Sequence, residues 1–339
     1  MDSGSMALFT RPPAFEDITR AAERIRSHAT ITPLLESTAL NEIAKGRVLL
    51  KAETLQRTGS FKFRGAFNRM SQIPPDQRSG GVVAYSSGNH AQGVAAAAAI
   101  LGIPAAIVMP KDAPAIKVAN TRSYGAEVVL YDRVHESREE IGKALTEERG
   151  ATLIRPYDDA GIIAGQGTCG LEIAAQAETM NAKLDALLVC CGGGGLTAGC
   201  ALAMETLSPE TEVFTAEPEG FDDTKQSLLS GRITANTGPQ KSICDALLAP
   251  QPGNLTFAVN KARVKRGLSV SDAEVKNAMR FAFRTLKLVV EPGGAVCLAA
   301  ILAGRYDSAG RTVALTLSGG NVDPELYRAV LGGGSKGER

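Results

Sequence analysis

Short apolar runs alternate with longer stretches of helical period along most of the chain. The runs "GRVLLKAE" (46–53), "GVVAY" (81–85), "AAIVM" (105–109), "AEVVLY" (126–131), "ATLIR" (151–155), "DALLVCC" (185–191), "TEVFTAE" (211–217) and "RTVALTLS" (311–318) predict strands. Between them, "HAQGVAAAAAILG" (90–102), "APAIKVANTRSYG" (113–125) and "HESREEIGKALTEERG" (135–150) predict helices. Both kinds of segment are apolar on more than one face, so the strands are expected to be parallel, with helices on both sides of the sheet. The class is α/β, without internal repeats or low-complexity tracts.

In such sheets ligands bind where strands end and helices begin. Four Gly- or Ser-rich turns fall at such junctions: "YSSGNHAQG" (85–93), "CCGGGGLTAG" (190–199), "EPGGA" (291–295) and "LSGGN" (317–321). Together they point to one ligand surrounded by backbone amides. In "CCGGGGLTAG" four glycines between an apolar strand and a small-residue helix let consecutive N–H groups aim at one spot, and the helix N-terminus adds its positive end; that is an anion site, most simply for phosphate. A rival reading exists. Gly193, Gly195 and Ala198 satisfy G-x-G-x-x-A after a strand, and Glu217 ends the next strand, where a dinucleotide fold keeps its ribose-binding acid. That reading, an NAD-dependent oxidoreductase, leaves Lys62, "SSGNH" and "LSGGN" without a role. A packing turn, or a non-catalytic phosphate-binding protein, is the bland alternative.

Composition narrows the field. The chain has 339 residues, 44% hydrophobic and 22% charged, with a net charge of +1, so it supplies no long-range field for nucleic acid or an anionic membrane. Six cysteines without C-x-x-C pairs read as thiols of a reducing compartment, and the cytoplasm is the expected location. Three histidines, His28, His90 and His135, lie far apart, without zinc-ligand spacing. Neither a targeting segment nor a membrane span is predicted.

The motifs "SFKFRGA" (60–66), "SSGNHAQG" (86–93), "CGGGGL" (191–196), "AEPEGFDD" (216–223), "VEP" (290–292) and "LSGGN" occur in this order across most of the chain. This ordered set closely resembles the pyridoxal-phosphate (PLP) enzymes of the tryptophan-synthase β type, fold type II, and among them the threonine/serine dehydratase and serine racemase family. The resemblance implies two α/β domains with the cofactor between them: a large PLP-binding domain from 1–78 and 156–339, and a small domain from 79–155. Lys62 matches the lysine that carries pyridoxal 5'-phosphate, and Phe61 the residue against its ring. Asn89 matches the amide at the cofactor's 3-hydroxyl. Gly192, Gly193, Gly194, Gly195 and Leu196 match the phosphate cradle, Ser318 the hydroxyl facing the ring nitrogen, and Glu291 of "VEP" joins the cofactor-binding set. A neutral hydroxyl at that nitrogen favours prompt β-elimination over transamination.

For substrate, the resemblance implies that Ser86, Ser87 and His90 line the carboxylate nest and that Arg138 approaches the carboxylate. Ser87 matches the serine opposite the lysine in the racemase branch, where it exchanges a proton at Cα. Glu217, the carbonyl of Phe221 and Asp223 match a site for Mg²⁺ or Ca²⁺. The implied activity is loss of water and ammonia from a β-hydroxy amino acid such as L-threonine, L-serine or 3-hydroxyaspartate, giving a 2-oxo acid; an amino-acid racemase with side dehydratase activity is the alternative. A homodimer is implied as well. Tyr85 and Ala246 depart from the family pattern, which bears on the substrate rather than the cofactor. Only "NVDPELYRAVLGGGSKGER" follows "LSGG", so a regulatory module with feedback inhibition is not expected.

Overall fold

The computed structural model describes residues 11–113, 115–238 and 241–333. Among the described residues ten strands form two sheets: β1 (Leu34–Glu36), β2 (Arg47–Ala52), β3 (Val82–Tyr85), β4 (Ala105–Pro110), β5 (Glu127–Tyr131), β6 (Thr152–Leu153), β7 (Ala186–Cys190), β8 (Glu212–Pro218), β9 (Val264–Val270) and β10 (Thr312–Leu317). The larger sheet runs β1-β2-β10-β7-β8-β9 and the smaller β5-β4-β3-β6. Every pairing is parallel except that of β1 with β2.

Eight strands fall where the apolar runs predict them, and two do not. β1 is only three residues long. β9 was hidden because it is an edge strand: Lys265 and Arg266 face solvent, Gly267 interrupts the alternation, and the pairing with β8 shifts register near Val213. "ATLIR" is also a correction, since it pairs only over Thr152–Leu153, as a short edge strand.

The strands of the large sheet are sandwiched. Helices Asp272–Phe281 and Val296–Leu302 cover one face, packing Val275, Met279 and Leu298 against Leu188, Leu315 and Val313; helices Ala160–Thr179 and Gly195–Leu207 cover the other, with Ile173, Cys200 and Met204 against Leu187, Val189 and Ala314. Helix Lys62–Ser71 contacts both helix Asn89–Leu101, which belongs to the smaller sheet, and helix Ala160–Thr179. Phe63, Ala66, Phe67 and Met70 join the core beneath the small sheet. Lys62 is the first residue of this helix, which packs against a helix from each layer.

Candidate active site

The turn before Lys62 is fixed by the far end of the chain. Thr58 and Gly59 adopt φ of 64° and 71°, Gly320 N–H donates to the Gly59 carbonyl at 2.9 Å, and Phe61 N–H donates to the Ser318 carbonyl at 3.2 Å. One turn into the helix, fully buried Arg64 donates to Glu53 and Glu172 at 2.7–2.8 Å. These contacts aim Lys62 into a cavity of about 440 Å³. Its Nζ donates to the Pro156 carbonyl at 2.8 Å and lies 5.2 Å from the centre of the Phe61 ring. Burial lowers its pKa to about 8, although Glu291 pulls the other way. The neutral form that a nucleophile requires is therefore a minor species near neutral pH but far more accessible than in an exposed lysine.

Across the cavity, residues 192–195 connect β7 to helix Gly195–Leu207. The loop carbonyls are drawn away from it: Gly193 O accepts from Thr256 Oγ1 at 2.7 Å, and Gly194 O from Asn260 Nδ2 at 3.3 Å. The first amides of the helix lack intrahelical acceptors and carry the positive end of its dipole, an arrangement that suits an anion. Glycine is required here. Gly194 has φ of 91°, and a Cβ on Gly193 would meet the Tyr157 ring at 2.3 Å.

The remaining predicted cofactor and substrate residues line the same cavity: Ser86, Ser87, Asn89, His90, Arg138, Leu196, Glu291 and Ser318, together with Tyr85 and Ala246. Asn89 is held from two sides, donating to Glu291 at 2.5 Å and accepting from Asn321 at 2.8 Å. Burial and the nearby Asp245 raise the Glu291 pKa to about 7. His90 is buried, its Nε2 is 2.9 Å from the Ile154 carbonyl, and burial followed by the Lys62 charge lowers its pKa to about 3. It is a neutral ring in the wall. Arg138 pairs with Glu139 at 2.8 Å and sits 5.5 Å from the Tyr85 ring centre.

A family model for "Pyridoxal-phosphate dependent enzyme" matches residues 25–319. The chain belongs to the pyridoxal-phosphate dependent enzymes. It is 46% identical to an L-threo-3-hydroxyaspartate ammonia-lyase from Pseudomonas sp. over 94% of this chain and 99% of that relative, and 43% identical to a serine racemase from Schizosaccharomyces pombe over 94% and 97%. The crystal structure of a T.th. threonine deaminase superposes with a TM-score of 0.86 at 47% identity, covering 92% of this chain and 99% of that one. The fold is accordingly the two-sheet α/β fold type II of these pyridoxal-phosphate enzymes, and the dinucleotide reading of "GGGGLTA" falls.

The residues present fit the cofactor of the family, because a desolvated amine and an amide-rich glycine turn face one cavity. Glu217 and Asp223 do not line it. Both are buried where β8 meets helix Asp223–Ser230; Glu217 accepts from the amides of Thr224 and Lys225 at 2.9 Å, and Asp223 Oδ1 accepts from Asn236 at 2.8 Å. Asp223 Oδ2 has no hydrogen-bond partner. Burial, then the Asp223 charge, pushes the Glu217 pKa well above its ordinary value, and burial raises that of Asp223 to about 7. No three His, Cys, Asp or Glu side chains converge as a metal-binding group among the described residues, so a cation here would depend on two carboxylates, carbonyl oxygen and water.

Sequence reasoning missed the residues that hold the site. Thr256 and Asn260 orient the glycine loop, Asp158 accepts from the Leu255 and Thr256 amides at 2.8 and 3.3 Å, and Lys117 pairs with Asp245 across the cavity. None has a local signature, since each partner is more than 60 residues away. Tyr157, beside the glycine loop, is likewise silent in the sequence.

Proposed function

We propose that this protein is a dehydratase that converts a β-hydroxy amino acid to a 2-oxo acid and ammonia. The observation that carries the reading is the Lys62 amine, desolvated and facing the glycine turn across one cavity; the names of the relatives supply the substrate class. Gly192 to Gly195 and Leu196 would hold the cofactor phosphate, Asn89 its ring oxygen, and Phe61, Glu291 and Ser318 the ring. When bound, pyridoxal phosphate supplies an electron sink for the bond broken at Cα. The Ser86–Asn89 turn binds the substrate carboxylate, with His90 and Arg138 beside it. Lys62, neutral for part of the time at pH 7, takes the Cα proton from its face.

Four further assignments belong to this reading. Residues 79–155 form the small domain and 1–78 with 156–339 the large one; residues 1–10, 114, 239–240 and 334–339 of these ranges lie outside the described residues. Glu217, the Phe221 carbonyl and Asp223 bind Mg²⁺ or Ca²⁺, a role supported by the unpartnered Asp223 oxygen. The protein is a homodimer, as the family resemblance implies. It works in the cytoplasm, a reading supported by six buried free thiols.

The racemase reading is retained for one reason: Ser87 lines the cavity without a hydrogen-bond partner of its own, free to work on the face opposite Lys62. One experiment tests both readings, namely 2-oxo acid release from L- and D-substrate and deuterium wash-in at Cα for wild type, Lys62→Ala and Ser87→Ala. Lys62→Ala should lose the yellow absorbance of the loaded enzyme and nearly all turnover; retention of both would sink the dehydratase. Ser87→Ala should cost D-substrate turnover and wash-in about 10²- to 10⁴-fold if Ser87 is a proton carrier. Equal losses of about tenfold or less in all assays would leave Ser87 as carboxylate binder only.

A further inference from the structure

The charged groups around the cavity are nearly all committed to partners. Lys117 pairs with Asp245, Arg138 with Glu139, Asp158 accepts two backbone amides, Glu291 accepts from Asn89, and Lys62 donates to Pro156. Arg155 is the exception. It lines the same cavity, is exposed, and makes no hydrogen bond, ion pair or ring contact. Its backbone is nevertheless well anchored: the preceding carbonyl, of Ile154, meets His90 Nε2 at 2.9 Å, and the following one, of Pro156, accepts from Lys62 at 2.8 Å. Ile154 is fully buried. A guanidinium rooted one residue from the carbonyl that receives the reactive amine can therefore face a molecule bound there.

We propose that Arg155 binds the distal carboxylate of a dicarboxylic β-hydroxy amino acid, making 3-hydroxyaspartate the preferred substrate class over serine and threonine. This rests on the dehydratase reading of the site. The α-carboxylate is served by the Ser86–Asn89 turn, so a second carboxylate needs a second donor, and Arg155 is the cavity cation that need not break an existing contact to supply it. Two parallel N–H donors match a carboxylate. A substrate with a methyl group or hydrogen in place of that carboxylate leaves Arg155 solvated at little cost, so the residue rewards the diacid without excluding the others.

The test compares kcat/KM for L-threo-3-hydroxyaspartate, L-serine and L-threonine in wild type, Arg155→Gln and Arg155→Lys, with the visible absorbance of each loaded enzyme as the check that the site is intact. Wild type should favour the diacid. Arg155→Gln should lower kcat/KM for the diacid by about tenfold or more, mainly through KM, while serine and threonine change by less than about threefold; Arg155→Lys should recover part of the loss. Succinate should raise the Tm of wild type but not of Arg155→Gln. Uniform loss on all three substrates, an unchanged preference in Arg155→Gln, or a wild type that dehydrates serine and threonine but prefers them to the diacid overturns the Arg155 assignment while leaving the dehydratase standing. A wild type that releases 2-oxo acid from none of the three overturns both.

Discussion

Two buried carboxylate clusters flank the cavity, and they solve the same problem differently. In the first, Glu53 and Glu172 face Arg64 and Lys51; Lys51 donates to Glu172 and to the Thr32 carbonyl at 2.6 Å, and Thr32 donates to Glu53 at 2.5 Å. Burial, the largest influence, would push Glu53 up, but the Arg64 charge and hydrogen bonds, with the Lys51 charge and the Thr32 hydroxyl, together outweigh it and hold the carboxyl below its ordinary value. In the second, Glu217 and Asp223 face each other without a cationic side chain between them, and both pKa values rise. The first cluster carries its own counter-charges and the second does not. A buried charge set that is complete positions a backbone; one that is incomplete waits for an ion or a proton.

The contrast can be broken most forcefully at Arg64. Arg64→Met leaves Glu53 and Glu172 without their main partner, and removal of one member of a buried pair costs about 3–5 kcal/mol; denaturant unfolding at pH 7 measures it, and a loss below about 1 kcal/mol would mean that the network is incidental. Next in size is the effect of a cation on the second cluster. Mg²⁺ at about 100 times its Kd should stabilise the native protein by about 2.7 kcal/mol, read as a fall in Tm and activity on chelation; indifference of both removes the ion.

The smallest effect is the most diagnostic. Asp223 has an ordinary pKa of 3.8 and a folded value of about 7, so between those pH values the metal-free native state holds a proton that the unfolded chain has released. Its stability contribution falls as pH rises from about 4 to 7 and is flat above. Chelation should therefore lower Tm more at pH 8 than at pH 5, and Asp223→Asn should abolish that difference. An equal drop at both pH values in wild type would mean that the two carboxylates do not share an ion.

The two clusters also differ in what the sequence discloses. "AEPEGFDD" is compact, so its acids can be noticed together. Lys51, Glu53, Arg64 and Glu172 are scattered over more than 100 positions, and nothing local marks them as a set. The same rule covers the rest of the molecule. β2, β7, β8 and β10 were legible because strands buried on both faces are continuously apolar; β9 was not, because its polar edge and register shift break any period. The glycine turn announces an anion, whereas Thr256 and Asn260, which orient it, read as ordinary helix residues. Arg155 looks like any surface charge until the cavity and its committed neighbours are seen together.

β10 lies between β2 and β7, hydrogen-bonded to both, and is followed directly by Ser318, whose carbonyl fixes Phe61. It is also the last described strand to be synthesised. A nascent chain that has already made nine strands therefore has a gap in the middle of its main sheet, with the facing edges of β2 and β7 unpaired, and unpaired edges invite pairing with other chains. The cofactor pocket cannot close around Lys62 until that strand has left the ribosome, so loading with pyridoxal phosphate has to wait for the synthesis of β10 and reports that the middle of the main sheet has been filled.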